Sequence, residues 1–454
     1  MVMSSDKAYY SPLQSRMDKL PLSGVHWLIW ILTTLGMVLD SMDLYLISYA
    51  MPFIAKEWAI PPEILGTIAS GGMWGMMAGA YLWGILSDKI GRRTSLQWTI
   101  GIFSVVTGLC ALAWSSASLF AARFLVGIGL GGLIPVDYAV QAEFLPAKYR
   151  GRMMALSLVV WPLGGFIGAA LAWNLMPIYG WRGLFVAGAV PALLVFIVRF
   201  IVPESPRFLI DKNRHQEATK TIEWMEKKCN VTPAQDSFSM ATGLASTPTE
   251  EAKVPLTEIF SKKYIFRTLL TSGIWFCHCL PYYGILLWLP TLLVQYYHVP
   301  QPETLKIMMT LVGVGIAGRF VAMTVLDSWG RKPLMMTYAV CGGIGLMCYN
   351  LAGDTNQLLI IACFAAFFYE GSWSSIAPYT AELFPTKIRS TGVGFSSGVG
   401  RIASALAPLV IGFLVHASLP AVFYTLGALL FAEAILVGFF AFETKAKTLE
   451  EISQ

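Results

Sequence analysis

The chain has 454 residues, of which 56% are hydrophobic and 13% charged. Soluble domains carry roughly 25% charged residues, so most of this surface is not built for water. A secreted disulfide scaffold, a disordered chain and an ordinary cytosolic enzyme are excluded. The net charge of +5 comes from Lys and Arg scattered over short loops, which form no stripe and point to no nucleic-acid partner. Six of the seven cysteines, all but Cys229, lie in apolar stretches and read as small packing residues. Cys277-His278-Cys279 leaves too little chain between its side chains to close on a metal, and no metal or cofactor is expected. The first 26 residues are polar, with no apolar core ahead of a cleavage site, so no cleaved signal is expected.

Apolar runs follow in chain order. The first, 27–54, carries Asp40 and Asp43. Runs 64–86 and 94–114 come next, then 117–141 with Arg123 and Asp137, 153–175 with Trp161, and 183–202 with Arg199. A polar stretch, 203–264, separates these from 265–296, which holds His278, Tyr282, Tyr283 and Gln295. Runs 304–326 (Arg319), 334–353, 357–381 (Tyr369, Glu370, Trp373), 391–415 (Arg401) and 420–442 (Glu433) complete the chain. Each is long enough to cross a bilayer core of about 30 Å at about 1.5 Å per residue. The fold class expected is an all-α membrane protein with twelve transmembrane helices.

Loops after the even-numbered runs hold Lys89, Arg92 and Arg93, then Lys148, Arg150 and Arg152, then Arg331 and Lys332, then Lys387 and Arg389; the other face has only Lys56, Arg182 and Lys306. The positive-inside rule puts the basic loops and both termini in the cytoplasm. The chain divides into a cytoplasmic N-terminal segment 1–26, a six-helix half 27–202, a cytoplasmic connector 203–264, a second half 265–442 and a cytoplasmic tail 443–454. Within the connector, 213–228 reads as an amphipathic helix and 232–253 as flexible linker. The halves repeat each other: Asp88-Lys89-Ile90-Gly91-Arg92-Arg93 returns as Asp327-Ser328-Trp329-Gly330-Arg331-Lys332, and Glu143 to Arg150 returns as Glu382 to Arg389, both 239 positions on. Two pseudo-symmetric halves with a site between them is the architecture of rocking secondary transporters.

Gly84-Ile85-Leu86-Ser87-Asp88-Lys89-Ile90-Gly91-Arg92-Arg93 resembles the loop signature of the major facilitator superfamily. With its second copy and Arg123-x-x-x-Gly127-x-Gly129, the resemblance covers nearly the whole chain. It implies the major facilitator fold, and a latch in which Asp88, Asp327 and the nearby arginines hold the halves together on the basic side. Glu143 with Arg150 and Glu382 with Arg389 are expected to do the same. The alternative is static charge pairing at helix ends, worth little when solvated. Arg123, by the family pattern, organises helix packing. Pro203-Glu204-Ser205-Pro206-Arg207 and Glu443-Thr444-Lys445 look like the sugar-porter and organic-ion branches.

Narrower resemblances point to substrate. Leu39-Asp40-Ser41-Met42-Asp43 is similar to the D-G-x-D motif of aromatic acid:proton symporters, with Ser41 in place of Gly. Tyr282-Tyr283-Gly284, Trp161-Pro162-Leu163-Gly164 and Gly400-Arg401 look like the cavity-lining segments of animal organic anion transporters, where a tyrosine pair and an Arg bind the anion. Trp161 stands where that family has Tyr, so only aromatic character carries over. The run from Glu143 to Arg150 resembles the synaptic-vesicle-two-related proteins, and among their bacterial relatives the chain looks most like nicotinate (niacin) transporters.

Asp40 and Asp43, three residues apart, share one helix face. An ionised carboxylate inside a membrane is expensive and a protonated one far less so, which suits a proton carrier; permanent pairing with an Arg is the alternative. Asp137 either relays protons or stays paired. Arg401, among small and apolar neighbours, offers a planar fork that matches a carboxylate; its alternative is a fixed partner such as Glu370, Asp137 or an Asp of the first run. Arg319, beside Gly315 and Gly318, reads as structural, as do Glu433 and His278. Tyr282, Tyr283, Trp161 and Trp373, with Tyr369 and Gln295 as weaker candidates, would supply an aromatic wall for a flat ring. The leading reading is a monomeric, proton-coupled importer of a small aromatic carboxylate, nicotinate or a close analogue, in a bacterial inner membrane. A sugar:proton symporter is weakened because the seventh run lacks the paired Gln residues that such porters use for hydroxyls. A membrane receptor on a transporter scaffold, or an enzyme, finds less support, since no nucleotide loop or nucleophile–base pair is visible.

Overall fold

In the computed structural model the described residues are 16–17, 20–190, 197, 201–231, 256–385 and 387–445. Helix follows helix: α1 (Gly24–Trp58), α2 (Pro62–Ile90), α3 (Arg92–Cys110), α4 (Ser116–Phe144), α5 (Ala147–Val160) and α6 (Leu163–Ala187). Two short helices, α7 (Pro206–Asp211) and α8 (His215–Lys228), occupy the polar stretch. Then come α9 (Ile265–Gln295), α10 (Gln301–Trp329), α11 (Arg331–Cys348), α12 (Thr355–Gly371), α13 (Trp373–Leu383), α14 (Arg389–Ala417) and α15 (Leu419–Phe440). The elements α1–α6 are the N-terminal set and α9–α15 the C-terminal set.

Among the described residues nine helical stretches are long and apolar enough to cross a membrane. Helices α2 and α3 coincide with the second and third runs but fall outside that nine. The first is diluted by its glycines and the charges at its basic end, and the second opens on Arg92-Arg93. The sixth run continues from α6, where Gly180 (φ +64°) turns the chain back. Residues 191–196 and 198–200 of that run, Arg199 included, lie outside the described residues. So do the stretch read as linker (232–253), nearly all of 1–19 and the tail beyond 445. An architecture of twelve spans is consistent with all of this.

Helices are favoured because hydrocarbon offers no partners for backbone groups. Where two helices must come close, small residues face each other. A Cβ on Gly75 would strike the Phe124 carbonyl of α4, and one on Gly131 the Met76 carbonyl of α2. The apolar windows of α9 and α1 are 94% and 72% buried, against 33–56% for the others, so these two are the central helices. Among the described residues four helix pairs join the sets: α1 with α9, α6 with α10, α5 with α10, and α2 with α14. The last is tightest away from the basic loops, where a Cβ on Gly412 would lie 2.7 Å from the Pro62 carbonyl and one on Gly66 would meet the Pro408 carbonyl. Toward the basic loops the same pair loosens: a Cβ on Gly394 or Gly84 would meet nothing within 4 Å.

Candidate functional site

At the basic face the two signature copies fold alike. Arg92 donates to Asp88 (2.6 Å), to Glu143 (3.3 Å) and to the Ser87 carbonyl (2.9 Å). Arg331 donates to Asp327 (3.0 Å) and to Glu382 (3.0 and 3.2 Å). A glutamate then caps each following helix: Glu204 accepts from the Arg92 and Arg93 backbone amides, and Glu443 from those of Arg331 and Lys332. A carboxylate suits a helix N-terminus, where free N–H groups and the helix dipole converge. The signature glycines follow from this cap. Gly91 and Gly330 adopt φ +100° and +104°, and a Cβ on either would run into the capping carboxylate. Glu204 and Glu443 are also 239 positions apart, a third element of the repeat between the halves.

This geometry corrects the expected latch. The ion pairs of Arg92 and Arg331 stay within their own set rather than joining the two. Glu143 and Glu382 face these arginines, while Arg150 and Arg389 donate to the Leu145 and Phe384 carbonyls. Leu145-Pro146 ends α4, so the chain turns and brings Arg150 back over the last carbonyl of that helix instead of beside Glu143.

Burial alone would raise the Glu443 carboxyl, but the backbone amides of Lys445, Arg331, Lys332 and Thr444 outweigh it and hold the group below its ordinary value. A lowered folded value stabilises above the ordinary carboxylate range and is lost as pH falls through the lowered one. Glu443→Gln is therefore expected to lower stability by about 1 kcal/mol after screening. The gap to wild type, read by thermal unfolding in nanodiscs, should be equal at about pH 7 and 5.5 and close below about pH 4.

The centre holds the remaining candidates. Tyr282 of α9 meets Tyr283 (5.0 Å between centroids), Tyr369 of α12 (6.0 Å), Trp373 of α13 (5.4 Å) and His278 (6.2 Å). Trp161, in the two-residue break between α5 and α6, donates its indole N–H to Asp40 at 3.0 Å. The other Asp40 oxygen is buried without a partner. Asp137 is fully buried, both its oxygens lack partners, and it lies against α1 at Gly36. Asp40 and Asp137 are close enough to act on one another electrostatically. Asp43 differs: Thr107 donates to one oxygen at 2.5 Å and Arg123 to the other at 2.8 Å, all three buried.

Arg401 is partly buried; its Nη1 is shielded from solvent and has no hydrogen-bond partner. Its charge is felt at Asp40, Cys279 and Tyr283. None of the fixed partners considered from the sequence holds it. Glu370 instead accepts from Arg319 at 2.7 and 2.9 Å, and Arg319 also donates to the Tyr282 hydroxyl (3.1 Å) and lies over the Trp161 ring (5.8 Å). His278 contacts Glu433 at 3.1 Å. That places Glu433, read from sequence as structural, on the face of α15 turned inward to α9 and fully buried. Gln295 stands apart: it ends α9, twelve residues or about 18 Å beyond Tyr283. Sharing an apolar run does not mean sharing a depth. The Arg319–Glu370–Tyr282 cluster was the part of the centre not assembled from sequence, although two opposite charges inside the membrane were its signal.

A multi-helix membrane bundle that buries charged and aromatic side chains where its two helix sets meet has the build of a membrane transporter. Residues 45–454 match the profile of the family described as sugar (and other) transporters. The niacin transporter NiaP of Acinetobacter baylyi is 33% identical over 444 residues, spanning 97% of this chain and 99% of its own. The benzoate transport protein of the same organism is 28% identical, spanning 89% of this chain and 86% of its own. Among solved structures, a D-xylose–proton symporter superposes with a TM-score of 0.73 at 19% identity, covering 93% of this chain and 99% of its own. The partially occluded inward-open xylose transporter of E. coli gives 0.72 at 19% identity, covering 94% and 100%. The chain belongs to the sugar (and other) transporter family of the major facilitator superfamily. It is a multi-pass membrane transporter and not an enzyme.

Proposed function

We propose that this transporter imports a small aromatic carboxylate, nicotinate or a close analogue, together with protons, by alternating access between two six-helix halves (27–202 and 265–442). The observation that carries the reading is Arg401, a guanidinium with a shielded, unpartnered nitrogen beside Tyr283 and the aromatic cluster. A buried charge without a partner is costly, and an incoming carboxylate removes that cost while its ring packs on the rings of Tyr282, Tyr283, Trp161 and Trp373. Tyr369 backs the same wall. Relatives named for niacin and benzoate support this substrate class. Asp40, with one free oxygen, and Asp137 beside it are the proton carriers in this reading, and Asp43 is held by Arg123. The chain works as a monomer in a bacterial inner membrane, with the basic face, both termini, the connector 203–264 and the tail 443–454 in the cytoplasm.

The test is labelled nicotinate uptake into proteoliposomes under an inward proton gradient, with benzoate and glucose as competitors. Uptake blocked by benzoate and not by glucose is expected. Arg401→Ala should reduce it about 10- to 100-fold, the loss of one charge-assisted contact of about 1.5–3 kcal/mol. Glucose uptake in place of nicotinate would move the protein to the sugar branch.

A further inference from the structure

Proline has no N–H, so inside a helix it leaves the carbonyl four residues earlier without its partner. In a membrane that carbonyl is re-satisfied by ordered water, local helix adjustment or a side chain of a neighbouring helix. Prolines 52, 135, 162, 177, 281, 290, 378 and 408 interrupt the described helices or their breaks. Among the described residues only two of the carbonyls so freed receive a side-chain donor, and in both cases the donor belongs to the opposite set.

Pro162 frees Leu158 of α5, and Arg319 Nη1 of α10 donates to it at 2.8 Å. Pro290 frees Leu286 of α9, and the Ser48 hydroxyl of α1 donates to it at 2.7 Å, with the Leu287 carbonyl at 3.1 Å. Among the described residues these are also the only hydrogen bonds by which a side chain of one set holds the backbone of the other. Their depths differ. Arg319 is ten residues from the basic end of α10 and Leu158 eleven from that of α5, about 15–17 Å. Ser48 is ten residues and Leu286 nine from the opposite ends of their helices, about 14–15 Å. The aromatic site lies between: Trp161 is three residues past Leu158, and Tyr283 three before Leu286.

We propose that Arg319 and Ser48 are positioning residues that gate opposite faces of the transporter, each by holding a proline-freed carbonyl across the interface. Opening the basic face breaks the Arg319 tie, and opening the other face breaks the Ser48 tie. Arg319 keeps Glu370 and Tyr282 when it releases Leu158, and Leu158 and Leu286 are the acceptors left to water entering the opened vestibule. The inference rests on the alternating-access reading given above and not on the identity of the substrate.

The test reads conformation without transport. Label pairs are installed as non-natural amino acids at Lys89 and Ser328 for the basic face, and at Leu112 and Leu351 for the other, each pair 239 positions apart. Their distance distributions are measured by fluorescence in nanodiscs. Ser48→Ala should raise the open population at the Leu112–Leu351 face about 5- to 10-fold, the loss of one buried hydrogen bond. Pro290→Ala restores an N–H to compete for Leu286 and should act in the same direction. Because both remove one tie, the double variant should shift no further than either single one. Pro162→Ala should open the Lys89–Ser328 face instead, and it spares the buried Arg319–Glu370 pair, whose direct mutation risks misfolding. No shift, shifts of both prolines at one face, or additive effects of Ser48→Ala and Pro290→Ala would each overturn the proposal. A protein that fails to carry nicotinate yet shows the opposed shifts would sink the substrate reading alone.

Discussion

Asp40→Asn is expected to abolish uphill uptake while leaving substrate exchange intact. One proton per substrate lets a difference of one pH unit support about tenfold accumulation, the equivalent of about 1.4 kcal/mol. The amide keeps the shape of the carboxyl and still accepts the Trp161 N–H, but it has no proton to release. Accumulation under the gradient should therefore fall to the level without it, while counterflow of labelled against unlabelled nicotinate continues. Asp40, with one free oxygen, and the neighbouring Asp137, with two, are the carboxyl pair of the centre with the least fixed support. Exposed to one face, Asp40 ionises into water; shut in, it is far cheaper to bury as the neutral acid. Loss of accumulation in Asp43→Asn with Asp40→Asn still coupled would move proton transfer to the pair with Arg123.

How far the sequence reached depends on the range of each signal. Hydropathy and loop charge act over neighbouring residues, so the runs and basic loops correspond closely to the helices and their ends. The repeat at 239 residues was equally legible, and even the capping Glu204 and Glu443 stood in plain view at that offset. Their role was not, because a cap is defined by where the chain returns in space. The same limit explains the centre. Each intramembrane charge is conspicuous in the sequence, but the choice of Arg123 for Asp43, Arg319 for Glu370 and His278 for Glu433 depends on which way helices 51 to 155 residues apart are rotated. Local spacing misled at Glu143 and Arg150, where Pro146 turns the chain between them. Trp161 shows the opposite case. Its aromatic character was read from the sequence, yet its hydrogen bond to Asp40, which joins the ring to the acid, appears only when α1 and the α5–α6 break are packed together.

The second large effect concerns stability and separates two intramembrane arginines, Arg123 and Arg401. Arg123→Met is expected to destabilise the protein by about 3–5 kcal/mol, because it leaves the Asp43 carboxylate buried and unpaired, with only Thr107 as donor. Combining it with Asp43→Leu removes both charges, and most of the loss should return, since a buried ion pair is often no better than well-packed apolar side chains. Thermal unfolding in nanodiscs, followed by tryptophan emission, reads the cycle of two singles and the double. Arg401→Met runs beside it as the contrast. Among the described residues no carboxylate is hydrogen-bonded to Arg401, so its removal should change stability by less than about 1 kcal/mol while weakening nicotinate binding about 10- to 100-fold. An Arg401 variant as unstable as Arg123→Met would show that this guanidinium also holds the fold together, and its claim to the substrate carboxylate would fall with that result.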